Sequence, residues 1–101
     1  MPCTSPGLAI LVRLIARLEE EVPHVLHQDL VEDLARRRRR GLPPESLDPV
    51  LESALADLAV LSDDRRMLNE RGDGFQAVRV FRVNHRHPTV RAALGRGTNR
   101  D

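Results

Sequence analysis

Several kinds of residue are scarce or missing in this chain of 101 amino acids. It contains no tryptophan, no tyrosine and no lysine, and it has two phenylalanines and one cysteine, Cys3. A single cysteine excludes an internal disulfide framework and suits a reducing, cytoplasmic location. Long apolar runs are missing as well, because Arg13 and Arg17 interrupt residues 8–18 well short of the ~20 residues that a membrane span needs. We therefore expect a cytoplasmic protein with no membrane partner.

The sequence patterns of the common enzyme classes are also missing. There is no glycine-rich phosphate loop, no nucleophile elbow and no HExxH zinc motif. The acidic triplet at residues 19–21 and the pair Asp63-Asp64 have no plausible nucleophile beside them. We expect no enzymatic activity and no cofactor.

The chain does contain enough apolar material for one core. Fifteen of its residues are leucine, and 41% of the chain is apolar. A chain of this length forms one domain of modest size. We expect a single domain over residues 1–101, with an ordered core at about 6–94 and a disordered tail at 95–101.

Charges of the two signs are separated along the chain, although the net charge is only +1. Residues 1–35 hold two arginines against six acids, and residues 36–40 are five arginines in a row. Residues 41–64 hold six acids and no arginine, and residues 65–101 hold nine arginines against three acids. Such blocks predict a surface with distinct acidic and basic faces.

Apolar residues at helical spacing predict three helices. The first begins at the pair Ser5-Pro6, typical of an N-cap and first helical residue, and ends near residue 21. The second covers residues 28–38 and ends in arginines, with Gly41 just beyond it. The third covers residues 49–61, with a start as early as Pro44 left open, and its predicted buried face carries Leu51, Leu55, Leu58 and Leu61.

Strands are predicted in two places. A short β-prone segment, residues 22–26, lies between the first two helices. After the third helix, residues 65–70 and 75–84 read as the two strands of a hairpin around Gly72-Asp73-Gly74. Residues 90–94 add one short helical turn, and the predicted class is α+β.

This order of helix, short strand, helix, turn, helix and hairpin resembles the winged helix-turn-helix superfamily over residues 8–84. The resemblance is one of architecture and points to no particular family. It implies three helices, a C-terminal β-hairpin wing and a short strand between helices one and two. In such DNA-binding proteins the third helix enters the major groove, and the hairpin tip contacts the backbone or the minor groove.

The resemblance therefore implies duplex DNA as a partner, but helix three departs from the DNA-reading pattern. Its exposed positions include Asp48, Glu52 and Asp57, and it has no arginine, lysine, asparagine or glutamine to match base edges. Carboxylates also repel phosphates. We expect a dimeric transcription regulator that contacts the DNA backbone through the arginine run and the wing, with these candidate residues: Arg36, Arg37, Arg38, Arg39, Arg40, Arg65, Arg66, Arg71, Arg79 and Arg82.

A plainer interpretation of the arginine run also stays open. The helix dipole favours cations in the last turn of helix two, and charge runs usually serve solubility. In that case the arginines are solvated and partly paired with Glu32, Asp33 or Glu45.

The main alternative function is a protein–protein interaction adaptor. Helix one carries an apolar stripe so wide that it is either wrapped by the rest of the domain or buried in an oligomer. In the second case its Ile10, Leu11, Leu14 and Leu18 form the interface with a second copy or another protein. The acidic helix three then suits a basic partner.

The four histidines form two pairs, His24 with His27 and His85 with His87. If residues 22–26 form the first strand and residues 75–84 the last, the winged-helix architecture implies that they pair antiparallel, which brings the end of the hairpin near His24. Converging imidazoles can hold zinc, although no cysteine or well-spaced acid completes a familiar ligand set. Ordinary surface or strand-end histidines are the default interpretation, with no metal bound.

Overall fold

The computed structural model describes residues 6–37 and 39–98 of the chain. Within these residues it has four helices and a three-stranded antiparallel sheet of order β1-β3-β2, so the predicted α+β class is confirmed. None of the described helices is long and apolar enough to cross a membrane. The elements in chain order are α1 (Pro6–Glu21), β1 (Val25–Leu26), α2 (His27–Arg36), a 3-10 turn (Pro44–Ser46), α3 (Leu47–Ala56), β2 (Val60–Leu68), β3 (Phe75–Val83) and α4 (Pro88–Thr98).

Helix α1 lies at the centre of the molecule and packs against α3, α4, β1 and β3. It ends at Glu21, two residues before Pro23, because a residue preceding proline is disfavoured in the helical conformation. Its predicted interface is not on the surface: Leu11, Leu14 and Leu18 are buried in the core, and Ile10 packs against the core. The other elements therefore cover the apolar stripe within one chain. The predicted N-cap, Ser5, lies outside the described residues.

The sheet joins the short strand to the hairpin as predicted. Strand β1 pairs antiparallel with β3, with Val25 opposite Phe81. Strand β2 pairs with β3 in one continuous register, from Val60 opposite Val83 to Leu68 opposite Phe75. Only the base of the hairpin is buried, so the hairpin projects from the rest of the molecule, whose longest axis including the hairpin is 48 Å. We call residues 60–83 the hairpin arm.

Helix α3 ends five residues earlier than predicted. The N–H of Ala59 donates to the carbonyl of Ala54 at 2.9 Å, and the N–H of Leu58 donates to that of Leu55 at 3.1 Å. These two bonds form a Schellman stop, in which Leu58 takes the left-handed conformation with φ 64°. Leu58 is therefore exposed and not on a buried helical face, and the chain is free to begin β2 at Val60.

Helix α4 is longer than the single turn expected near residues 90–94. It packs on α1, with Val90 fully buried and Ala93 and Leu94 partly buried against the core. This packing favours a helix over a free tail. The helix includes residues 95–98, which the sequence assigns to a disordered tail, whereas residues 99–101 of that tail lie outside the described residues.

Replacing Leu58 with glycine should stabilise the protein. A residue with a Cβ in the left-handed conformation destabilises the fold by about 1–2 kcal/mol. Glycine avoids this strain, but its greater conformational entropy in the unfolded state cancels part of the gain in stability. Because Leu58 is 59% exposed, little packing is lost. We expect a net gain of about 0.5–1 kcal/mol in the free energy of unfolding, measured with urea. Leu58→Ala is the control, because it removes the side chain but keeps the strain; equal stability of the two variants would contradict the explanation.

Candidate nucleic-acid interface

The arginine run begins beside a buried carboxylate. Asp33, on α2, is 1% exposed and holds two arginines from different parts of the chain. Arg39 donates from Nε and Nη2 to Oδ1 at 3.2 and 2.9 Å, and Arg17 of α1 donates from Nη2 to Oδ2 at 2.5 Å. Both carboxylate oxygens are therefore occupied, and α1, α2 and the segment that follows α2 meet at one charged cluster.

The two arginines keep Asp33 ionised. Burial alone raises the pKa of its carboxyl, but the hydrogen bonds and charges of Arg39 and Arg17 outweigh burial, and the pKa lies below its ordinary value. A buried charge of this kind is tolerated because it is both paired and hydrogen-bonded. Arg17 and Arg39 are thus part of the fold.

The rest of the run is exposed. Helix α2 ends at Arg36, two residues earlier than predicted, because Arg37 turns to an extended conformation while its N–H still donates to the carbonyl of Asp33 at 2.8 Å. Arg36, Arg37 and Arg40 are exposed and have no carboxylate partner among the described residues. Arg38 lies outside the described residues. The expected pairing with Asp33 is found for Arg39, but Glu32 instead accepts a hydrogen bond from Gln28.

Helix α3 presents an acidic surface. Its exposed residues have no side chain that reads base edges, and they are Asp48, Pro49, Glu52, Ser53 and Ala56. Glu45, on the turn before α3, and Asp57, just after it, are exposed and add to the same sign of charge. As the sequence predicts, the exposed face of α3 therefore lacks the side chains that read DNA bases.

Arginines and acids alternate on the hairpin arm. Arg65, Arg66, Arg71, Arg79 and Arg82 are all exposed. Asp63 lies 3.6 Å from Arg65, and Asp64 is directly opposite Arg79 across the strands. With Glu70 and Asp73, the arm has four acids against five arginines, which leaves it one positive charge.

The two groups of arginines line different grooves. Arg39 and Arg40 line a groove of about 690 Å³ between the end of α2 and the prolines Pro43 and Pro44. Arg65 and Arg82 line a groove of about 230 Å³ at the base of the arm, together with acidic Glu19 and Asp63. The basic surface is therefore divided into patches, with acids between those of the arm.

The hairpin turn is held by Asn69. Its Oδ1 accepts the N–H of Gly72 at 2.9 Å, and its Nδ2 donates to Asp73 Oδ1 at the same distance. Gly72 has φ 77°, as its role in the predicted turn requires. Arg71 is therefore displayed at the tip of an ordered turn.

Two of the four histidines pair with aspartates of the α3 region, each with a different one. His27 Nε2 lies 2.8 Å from Asp48 Oδ1, and His87 Nε2 lies 3.2 Å from Asp57 Oδ2. His24 lines the smaller groove and His85 is exposed. In the part of the chain that the structure describes, no three histidine, cysteine or acidic residues come together as a metal site.

His87 also caps helix α4. The N–H of Thr89 donates to His87 Nδ1 at 3.1 Å, so the proton of the neutral ring lies on Nε2, which faces Asp57. The ring thereby joins the start of α4 to the end of α3. This double role gives His87 a structural explanation that needs no metal.

Sequence reasoning missed three side chains that organise this region. In the sequence Arg17 only interrupts the apolar run of helix one, yet its side chain reaches the buried Asp33. Glu19 accepts the N–H of Val83 at 2.8 Å, and Asn84 donates to the carbonyl of Leu58 at 2.9 Å. Each contact joins residues far apart in the chain, so no local pattern signals it.

No protein-family model, curated protein or solved structure matches the chain.

Replacing Asp33 with asparagine should destabilise the protein. The change leaves two guanidinium groups without their carboxylate, and we expect a loss of about 3 kcal/mol, the lower end for a broken buried pair, because both arginines keep some contact with water. Urea unfolding of Asp33→Asn measures it. Glu32→Gln is the matched control, since Glu32 is exposed one residue away, and an equal loss in both variants would contradict the role of Asp33.

The stabilisation by Asp33 should also depend on pH. A folded-state pKa below the unfolded value means that the carboxyl stabilises the fold fully above about pH 4, the ordinary range of aspartate. The contribution is lost as the pH falls through the lower folded-state pKa. The difference in unfolding free energy between the natural protein and Asp33→Asn should therefore shrink as the pH falls from 5 toward 2. A difference that stays constant would contradict the ion pair.

Proposed function

We propose that the chain is a winged helix-turn-helix domain that binds the backbone of duplex DNA through arginines. Support for the fold comes from the order of elements, with α2 and α3 as the helix-turn-helix and the hairpin arm as the wing. The pairing of β1 with β3 next to the wing is the arrangement that this architecture implies.

The observation that carries the proposal is the division of the arginine run into structural and free members. Asp33 needs Arg39, and among the described residues no other arginine of the run has a carboxylate partner. Arg36, Arg37 and Arg40 are three exposed cations at the end of α2 and in the segment that follows it. Guanidinium groups free to form paired hydrogen bonds match phosphate oxygens well.

The mode of binding follows from the acids. Inserting α3 into the major groove brings Glu52 and its neighbours toward phosphates, which weakens the complex. The domain therefore binds with α3 held away from the bases, and the exposed arginines of the wing reach the backbone: Arg65, Arg66, Arg71, Arg79 and Arg82. Contacts of this kind position a protein on DNA without reading its sequence.

The test is the salt dependence of binding to a duplex of arbitrary sequence, measured by fluorescence anisotropy. Each phosphate contact contributes about 0.9 to the slope of log affinity against log salt concentration. The triple variant Arg36→Ser, Arg37→Ser, Arg40→Ser should bind more weakly and lose up to about 3 from that slope. It leaves Arg39 in place, so the fold is not disturbed.

A second triple variant separates local contacts from net charge. Arg13→Ser, Arg86→Ser, Arg91→Ser removes the same charge from α1, α4 and the segment before α4, where the arginines are also exposed. It should keep a slope close to that of the natural protein. Equal losses in the two variants, or no binding at low salt, would sink the proposal.

A protein-binding adaptor is the second candidate, and the acidic surface of α3 favours it. Burial of Leu11, Leu14 and Leu18 removes helix one as the docking surface, so α3 alone supports this function. Its partner would present a basic surface.

One pair of substitutions distinguishes the two functions. Glu45 and Glu52 are exposed and have no ion pair among the described residues. Glu45→Gln, Glu52→Gln should tighten DNA binding by several-fold at low salt, because each carboxylate repels phosphate even with α3 held away from the bases, and Glu45 lines the same groove as Arg40. If α3 instead binds a basic protein and the domain is an adaptor, neither the natural protein nor the double variant should bind DNA. The same anisotropy titration measures this.

A further inference from the structure

Strand β2 is an edge of the sheet with no partner on its outer side. The strand order β1-β3-β2 places it outermost, and within the described residues no strand pairs with that side. Ser62, Asp63, Asp64, Arg65 and Arg66 are all exposed. An edge strand of nine residues is long, and such an edge is a template for pairing with another chain.

The direction of the free backbone groups follows from the bonds at the two ends of β2. The N–H of Asn84 donates to the carbonyl of Ala59, and the N–H of Asn69 donates to that of Gly74. Antiparallel pairs alternate between bonded and non-bonded residues, so the odd-numbered residues bond to β3. The even-numbered residues direct their N–H and C=O outward: Val60, Ser62, Asp64, Arg66 and Leu68.

We propose that two copies of this chain pair antiparallel through the outer edges of β2, which joins their sheets into one. In such a two-fold symmetric pair, residues that lie opposite each other must be on the same side of the joined sheet. The register with full overlap of residues 60–68 meets this condition and centres on Asp64. The inference concerns self-association and goes beyond the proposed function.

Charges on one face are complementary in this register. Asp63 of each copy lies directly opposite Arg65 of the other, at a position where the backbones do not bond to each other and side chains are closest. Opposite charges in such cross-strand pairs stabilise a sheet, and symmetry makes the pair twice. Leu61 of each copy lies opposite Met67 of the other on the same face, so apolar residues flank the charges.

The other face of the joined sheet has one unfavourable contact, which neighbouring arginines offset. Asp64 lies opposite Asp64 of the second copy, but Arg66 of the second copy is its diagonal neighbour. Arg79 lies opposite Asp64 on β3 of the same chain. Two carboxylates thus sit among four guanidinium groups.

Pairing also covers exposed apolar surface. Leu68 is 60% exposed at the far end of β2, and full overlap brings it to the base of β2 in the second copy. Leu58, 59% exposed, lies just before that base. Both leucines gain apolar neighbours from pairing, which is favourable in water.

The test is the mass of the protein by sedimentation equilibrium from about 1 to 500 µM, since one strand edge forms a small interface of weak affinity. The natural protein should dimerise within this range. Asp63→Arg and Arg65→Asp each create two like-charge pairs, so each should raise the dimer Kd by about tenfold or more. The double variant exchanges the charges and should restore the Kd to within about threefold. The double variant also restores the Asp63–Arg65 contact within each chain, so urea unfolding of each single variant is measured as well, and a higher dimer Kd at unchanged stability assigns the effect to the contact between copies.

A backbone variant gives an independent check. Ser62→Pro removes an outward N–H and no bond to β3, so it should fold, by circular dichroism, but stay monomeric, whereas Ser62→Ala should dimerise. If the proline variant does not fold, the charge exchange alone decides. A strict monomer at 500 µM overturns the proposal, since the charges then guard the edge against pairing. A dimer whose Kd is unchanged by Asp63→Arg overturns the proposal as well.

Discussion

The ion cluster around Asp33 is the constraint on which the arrangement of the N-terminal half depends. A buried carboxylate costs several kcal/mol unless it is paired, so the fold must bring cations to it. Arg17 comes from the middle of α1, and Arg39 comes from the segment after α2. Their meeting fixes α2 against α1 and turns the chain back toward α3.

This cluster also decides what the arginine run can do. The five neighbouring arginines look equivalent in the sequence. In the structure Arg39 binds Asp33, whereas Arg36, Arg37 and Arg40 are exposed to solvent. The acids of the α3 region are partly used in a similar way, because His27 pairs with Asp48 and His87 with Asp57. Glu52, on the exposed face of α3, has no ion pair with any residue in the described part of the chain. The exposed arginines thus lie at the end of α2 and just after it, where Arg40 shares a groove with Glu45 of the turn before α3.

Features encoded locally were predictable from the sequence. Pro6 and Pro23 mark the limits of α1, and Gly72 marks the hairpin turn. The pairing of β1 with the last strand was expected from the architecture that the order of elements resembles. In contrast, the end of α3 was placed wrongly because Leu58 and Leu61 continue the apolar spacing of a helix. A leucine in the left-handed position of a helix stop carries no signal that distinguishes it from a helical leucine.

Features that join distant residues were not predictable. Nothing near Arg17 in sequence indicates a bond to Asp33, and the wide apolar stripe of α1 fits a wrapped helix as well as a dimer interface. Only the packing of α3, α4 and the sheet around α1 decides between these two. The free edge of β2 emerges only from the strand order, which also shows how the charges at residues 63–66 are placed.

The central claim is that DNA meets the free arginines and not the exposed face of α3. Chemical shift changes in the amide NMR spectrum, recorded while a short duplex is added at low salt, test it most directly. Backbone binding predicts changes at Arg36, Arg37 and Arg40 and along the hairpin arm, with little change at Glu52 and Ser53. Changes concentrated on the exposed face of α3, or no changes at all, would contradict it.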